Sequence, residues 1–356
     1  MDKRVILAVA GSGKTYHIVE QLDETKRVLL ITYTTSNTEN LRNAIISKFG
    51  YLPNNIKIKS YFTFLYSFCF KPFLANDLTS KGIFWKYPPE FTRNLKRSDD
   101  KFYLLKEKWL YHNRIAKLII EKNILPNVNE RLEKYYDCLF IDEIQDFGGH
   151  DFNLLSEISK SKIDILLVGD FFQHTFTTSN DGNTNINLYK NSADYTQKFK
   201  QLNFTIDNST LVNSRRCSKT ICDFIREKIG IEIFSHHNNE TNYELITDEF
   251  EADKIFNDNK IIKLFLTEHY NFNCHSDNWG SCKGLEFDDV CVVINDETLK
   301  LYNNNGLINL NPTTKNKFYV ACSRTKNNLY FVPMKLYKKH KKTTANKGLA
   351  KKGQKC

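Results

Sequence analysis

The sequence predicts an α/β protein of two lobes, each a parallel sheet flanked by helices, with a helical insertion in the first lobe. Three observations predict it. Short apolar runs end at acidic residues, a glycine-containing loop joins the first such run to a helical stretch, and six short blocks follow one another in order along the 356 residues. Apolar strands that deliver functional groups at their C-terminal ends are the mark of a parallel sheet with a ligand crevice at those ends.

In order, Val5 to Val9 reads as a buried strand, followed by the loop Ala8-Val9-Ala10-Gly11-Ser12-Gly13-Lys14-Thr15 and a helix from Tyr16 to Leu22. Strand, loop and helix is the context that a phosphate-binding loop requires. Val28 to Tyr33 is a second strand leading to an amphipathic helix from Thr38 to Phe49. Cys138 to Ile141 and Ile163 to Val168 are two further strands, each reaching an acidic residue. Between Phe64 and Lys134 the pattern is helical, rich in aromatics and Lys and broken by Pro72, Pro88 and Pro89. The stretch from Thr177 to Asn208 is polar and Asn-rich and reads as a loop or hinge. Elements from Leu211 through Val290–Ile294 to Leu329–Val332 suffice for a second, smaller α/β lobe. The expected division is residues 1–205 for the first RecA-like lobe with an insertion at about 66–134, 206–334 for the second RecA-like lobe, and 335–356 for a basic, disordered tail.

Composition narrows the function classes. A hydrophobic content of 41% supports a substantial core. No run approaches the roughly 20 apolar residues of a membrane span, and Met1-Asp2-Lys3-Arg4 opens no signal-peptide core, so a cytoplasmic protein without a membrane partner is expected. Nine scattered cysteines with no CxxC pair read as reduced thiols rather than a zinc site. The net charge of +10 is concentrated: Lys335 to Cys356 holds nine lysines and no acid. That run reads either as a solvated terminus or as a non-specific DNA or RNA tether whose grip falls with salt.

The blocks carry the chemistry. Backbone N–H groups of Val9 to Lys14 can wrap an anion, Lys14 can bridge the β and γ phosphates, and the Thr15 hydroxyl can ligate Mg²⁺. Asp142 can hold Mg²⁺ through water, while Glu143 can orient and deprotonate an attacking water. Gln173, at the next strand end, has an amide that can sense the γ-phosphate. Arg216 and Arg324 can stabilise charge on the transferring phosphoryl oxygens. A lone Arg ordinarily serves a surface ion pair; the ordered set gives these two a role.

The set resembles the motifs of superfamily 1 helicases of the UvrD/Rep type. Motif I matches Ala8 to Thr15, and motif Ia matches Ile31-Thr32-Tyr33-Thr34. Motif Ib resembles Ser60 to Phe64. Motif II matches Asp142-Glu143-Ile144-Gln145-Asp146, whose D-E-x-Q-D form is the most specific. Motif III matches Gly169 to Gln173, motif IV Arg216-Cys217, motif V Lys283 to Phe287, and motif VI Tyr319 to Arg324. The resemblance implies two RecA-like lobes that close on ATP and Mg²⁺ and ratchet along single-stranded nucleic acid, usually DNA and usually 3′ to 5′, with RNA left open. It places Ala10, Gly11, Ser12, Gly13, Lys14 and Thr15 on the nucleotide, Glu286 near the ribose, and Thr32, Tyr33, Thr34 and Phe64 near the strand.

Departures accompany the match. Seven residues precede Ala8, without the adenine-reading Gln usual upstream of motif I. Arg215 stands where a Tyr usually stacks on adenine, and can itself stack on a base. Thr replaces the base-stacking Trp that follows motif III. The stretch from Arg216 to Asn278 is too short for the large accessory domain of unwinding members. These features imply a reduced motor, an ATPase coupled to single-stranded DNA binding or translocation. The alternative is an ATP- and DNA-gated regulatory subunit that switches a partner such as a nuclease in repair or phage defence.

Overall fold

The computed structural model describes residues 1–175 and 181–342. It divides into two compact units, the first formed by Met1–Leu7, Lys14–Phe171 and Phe176–Thr210, the second by Ala8–Gly13, Phe172–Thr175 and Leu211–Cys356.

Unit one is built on six strands: β1 (Lys3–Leu7), β2 (Val28–Thr32), β3 (Ile56–Ser60), β4 (Cys138–Asp142), β5 (Asp164–Gly169) and β6 (Thr205–Asp207). They lie in the order β3-β2-β4-β5-β1-β6, every neighbouring pair parallel. Every residue of β2 and β4 is buried, as strands covered on both faces require. Leu7 pairs with Gly169, Asp142 with Val168, and Thr32 with Ser60, so the C-terminal ends of the strands lie level. The helix Thr35–Phe49 follows β2; Thr34 caps it by accepting the Asn37 N–H at 3.1 Å. Gly50, at φ 81°, ends it by donating to the Ile46 carbonyl.

Unit two carries β7 (Tyr243–Leu245), β8 (Ile262–Phe265), β9 (Ser276–Asn278), β10 (Val290–Ile294) and β11 (Leu329–Pro333), all parallel in the order β7-β11-β10-β8-β9. Both units are thus α/β, with parallel sheets flanked by helices. Trp279, fully buried, donates from Nε1 to the Leu264 carbonyl at 2.9 Å and packs on Phe318. The stretch from Arg216 to Asn278 folds into elements of this unit.

Three expectations are corrected. The polar stretch from Thr177 to Asn208 is not a simple loop. Its first residues lie outside the described residues, but Ser192–Gln201 is a helix that buries Tyr195 and Phe199, and β6 pairs with β1. The insertion is helical only at its ends. Phe64–Phe70 is a wide π-helical stretch and Ile115–Glu121 and Leu125–Tyr135 are helices, but a parallel strand pair, Gly82–Phe84 with Trp109–Tyr111, and short 3-10 turns lie between. The C-terminal run is not wholly a tail. Met334–Tyr337 is helical, Tyr337 is fully buried, and Lys339 pairs with Glu249 and Asp253 at 2.7 and 2.6 Å. Residues 343–356 lie outside the described residues. Among the described residues, no helix is long and apolar enough to cross a membrane.

A buried ionic cluster ties the insertion to the far end of unit one. Asp181 accepts from Arg114 and Lys117 at 3.1 and 2.7 Å, and the Arg114 guanidinium lies 3.8 Å from the Phe102 ring centre. His150 lies beside it; burial first, and the Lys117 charge second, push its pKa from 6.5 down to about 4. The unfolded chain therefore takes up a proton near pH 6.5 that the native imidazole refuses until about pH 4. Stability is lost as pH falls through that window. In thermal melts across it, His150→Gln should show a shallower fall in Tm than the wild type.

Candidate functional site

In unit one the site grows from the ends of β4 and β5. Asp142 closes β4 and is buried, its carboxylate accepting the Glu143 N–H at 2.9 Å. Glu143 then turns into the left-handed region, at φ 57° and ψ 44°. A non-glycine residue there stores strain of roughly 1–3 kcal/mol, a cost that clusters at functional sites. The turn sends the two carboxylates to separate environments. Gln145 holds the second one: its Nε2 donates to the Glu143 carboxylate, and its Oε1 accepts the Asp170 N–H at 3.0 Å. The close approach needs Gly169, since a Cβ there would lie 2.3 Å from Gln145 Oε1. The reading of individual roles assigned nothing to Gln145, although the D-E-x-Q-D block contains it.

The loop Ala8–Gly13 belongs to unit two. The Val9 N–H donates to the Leu211 carbonyl at 2.9 Å and the Arg215 N–H to the Gly11 carbonyl at 2.8 Å. The Ala10 N–H donates to the Tyr319 hydroxyl at 2.8 Å. Val9 and Ala10 are therefore corrected: their amides shape the loop, as does that of Ser12, which donates to the Val9 carbonyl at 3.3 Å, and the amides expected to wrap an anion narrow to those of Gly11, Gly13 and Lys14. Gly11 and Gly13 have φ of 71° and 86°, which L side chains rarely adopt. A Cβ on Gly11 would also come within 2.7 Å of Arg216 Cβ and Ser214 Oγ.

Arg216 and Arg324 come together in the same unit. Arg216 donates to Glu286 at 3.3 Å and to the Ser323 carbonyl at 3.2 Å, and Lys326 pairs with the other Glu286 oxygen at 2.9 Å. Lys326 and then Arg216 hold the Glu286 carboxyl below its ordinary range. Arg324 is 1% exposed and donates to the Val320 carbonyl, the Leu285 carbonyl and Ser323 Oγ, at 3.0, 3.2 and 3.2 Å. Among the described residues no carboxylate pairs with it. Burial, then the charge of Arg216, lowers its pKa. A buried cation held only by neutral acceptors leaves its charge available to an anion. Gln173, buried in the turn Phe171–Gln173, also belongs to this unit, and its neighbour Phe172 meets the Tyr319 ring edge-on.

The expected strand contacts divide. Phe64 is 1% exposed and stacks on Phe68, so it is a core residue and not a base platform. Thr32 is fully buried, its hydroxyl without a hydrogen-bond partner. Thr34 is exposed but caps a helix. Tyr33 is half-buried, stacked 5.7 Å from Tyr61 and in edge contact with Phe62. Arg215 is exposed.

The donors of unit one suit a magnesium nucleotide by their chemistry: Lys14 supplies a cation, and Thr15 and Asp142 supply two hard oxygens, as many protein ligands as Mg²⁺ ordinarily takes beside phosphates and water. Residues 121–333 match the family model of the viral superfamily 1 RNA helicase core domain. The chain belongs to this superfamily 1 helicase core family.

Residues 2–178 of this helicase core also match an AAA domain. No curated protein matches the chain. Solved structures similar to it include Arterivirus nonstructural protein 10, a helicase in complex with DNA, at 13% identity and a TM-score of 0.49, covering 92% of this chain and 60% of that one. The PRRSV helicase matches at 14% identity and a TM-score of 0.47, covering 93% and 52%. The chain spans less than two thirds of the length of each.

The Tyr319 bond gives a direct test of how the loop is shaped. Tyr319→Phe leaves the buried Ala10 N–H without its acceptor, a loss of about 1–3 kcal/mol. Calorimetric titration should show nucleotide affinity lowered roughly tenfold; unchanged affinity would mean that the loop holds its form without this bond.

Proposed function

We propose that this helicase core is an ATP-hydrolysing motor of UvrD/Rep type, coupled to the binding of single-stranded DNA or movement along it. The buried, carboxylate-free charge of Arg324 beside Arg216 is the observation that carries the reading. Two guanidinium groups near a glycine loop suit the charge that spreads over a transferring phosphoryl group.

In this mechanism Gly11 and Gly13 present backbone N–H groups to the phosphates, Ser12 braces the loop through the Val9 carbonyl, and Lys14 neutralises the β and γ oxygens. Thr15 and Asp142 hold Mg²⁺, which when bound would offset charge on those oxygens. Glu143 takes the proton of the attacking water, and Gln145 fixes the carboxylate for that task. Gln173 senses the γ-phosphate through its amide, while Arg216 and Arg324 stabilise the charge that develops. Arg216 exchanges its Glu286 contact for phosphate, and Glu286 becomes available to the ribose. Arg215 offers a planar group for the base.

DNA follows from the motif resemblance, and a similar solved helicase carries DNA. The matched family is named for RNA helicases, so single-stranded RNA is the competing track. The second reading, a regulatory ATPase gated by nucleic acid and acting on a partner nuclease, is favoured by one feature. The segment after Gln173, where the resembled family proceeds to a base-stacking Trp, is tied down: the His174 carbonyl accepts from Asn316, and Thr175 packs on Gly280.

Steady-state ATP hydrolysis with single-stranded DNA and RNA of increasing length separates these readings. A motor predicts turnover that climbs with strand length on its preferred sugar. Saturation at a short length would instead make the chain a switch. Glu143→Gln should lower turnover about 10²- to 10⁴-fold while nucleotide still binds; normal turnover in that variant would remove Glu143 as the base.

A further inference from the structure

The insertion of unit one exposes aromatic rings that the motifs do not account for. Trp85 and Tyr87 are 62% and 59% exposed. They belong to a row of rings. Tyr33, at the end of β2, lies 5.7 Å from Phe62, and Phe62 meets Trp85 edge-on at 4.8 Å. Trp85 stacks on His112 at 6.0 Å, and His112 lies 5.4 Å from Tyr87.

The fold fixes this row in place. Trp85 directly follows the strand Gly82–Phe84 and His112 follows Trp109–Tyr111, and Phe84 pairs with Tyr111, so the two rings occupy the next rung of the pair. Gly82 allows the Trp109 ring to close on the strand, since a Cβ there would lie 2.8 Å from it. Pro88 and Pro89 stiffen the exit beyond Tyr87. Burial lowers the His112 pKa, which keeps that ring neutral at neutral pH. The rings are therefore preorganised, and their exposed faces are not used by the core.

The charge around them selects the partner. Residues 81–122 hold eleven Lys and Arg against five Asp and Glu; Arg114 and Lys117 are taken up by Asp181, which leaves nine against five, while the chain outside this segment and the C-terminal run is net negative. Lys86, exposed, stands between Trp85 and Tyr87. Aromatic faces set among cations are the combination that grips a single strand without regard to sequence, the rings taking bases and the cations taking phosphates.

We infer that Trp85 and Tyr87, braced by Phe62 and His112, form a platform on which unpaired bases of the single strand stack, with Lys86 on the adjoining phosphate. The inference rests on the reading of the chain as a single-strand motor. It supplies, on the insertion, a ring contact that the buried Phe64 does not provide.

The test is fluorescence anisotropy on the full chain with oligothymidylate, oligouridylate and an abasic strand of the same length. Stacking predicts that Trp85→Ala weakens binding to the better of the two base-bearing strands about 5- to 100-fold. Trp85→Phe should recover most of the loss, and the salt dependence should keep its slope. The wild type should bind the abasic strand no better than Trp85→Ala binds the base-bearing one, and Lys86→Ala should flatten the salt dependence. Circular dichroism establishes that each variant is folded. If the wild type binds and Trp85→Ala binds equally well, the platform is overturned and the motor reading stands. A wild type that binds neither base-bearing strand overturns both.

Discussion

One side-chain amide, that of Gln145, spans the ends of two neighbouring strands, giving its N–H to Glu143 and taking the Asp170 N–H at 3.0 Å. Much of unit one is arranged so that this contact can exist. The parallel register sets Asp142 level with Val168, which brings the two strand ends side by side. Gly169 omits the Cβ that would collide with the amide, and Glu143 accepts a left-handed backbone so that its carboxylate turns toward it. An amide is suited to this place because it donates and accepts at once. A carboxylate there could accept but not donate, and a hydrocarbon side chain could do neither.

Unit two solves a different problem, that of keeping positive charge buried and usable. Arg324 is held by two carbonyls and a hydroxyl, with no carboxylate to neutralise it. Arg216 is restrained by Glu286, which is itself shared with Lys326. The first arrangement fixes a cation in position; the second gives a cation a partner that it can exchange. The same unit contains the loop Ala8–Gly13, whose amides at Val9 and Ala10 are spent on its own shape.

The sheets were legible in the sequence because strands buried on both faces read as continuous apolar runs, and Val28–Thr32, Cys138–Asp142 and Val290–Ile294 do so. The first three motif blocks were legible because each sits at the end of a strand; the last, Tyr319 to Arg324, instead closes the helix Pro312–Cys322. Less visible was whatever depends on phase or on distant partners. Phe64 is the last residue of a motif match in sequence, yet the π-helical stretch turns it into the core. The strands Gly82–Phe84 and Trp109–Tyr111 have three residues each, too short to show a period. The lysines after Lys335 look like a free basic tail, but Glu249 and Asp253, far off in sequence, take up Lys339, and Tyr337 anchors the turn. The Tyr319 hydroxyl on the Ala10 amide is likewise a contact that no local pattern announces.

We propose that the strand-end carboxylates form a hydrolytic site because Gln145 fixes one of them. Steady-state turnover of Gln145→Leu, with nucleotide affinity measured in parallel, tests it most directly. The account predicts a fall in kcat of about a hundredfold, with affinity close to that of the wild type, since Gln145 acts through Glu143 and holds no phosphate. Wild-type turnover in Gln145→Leu would contradict it.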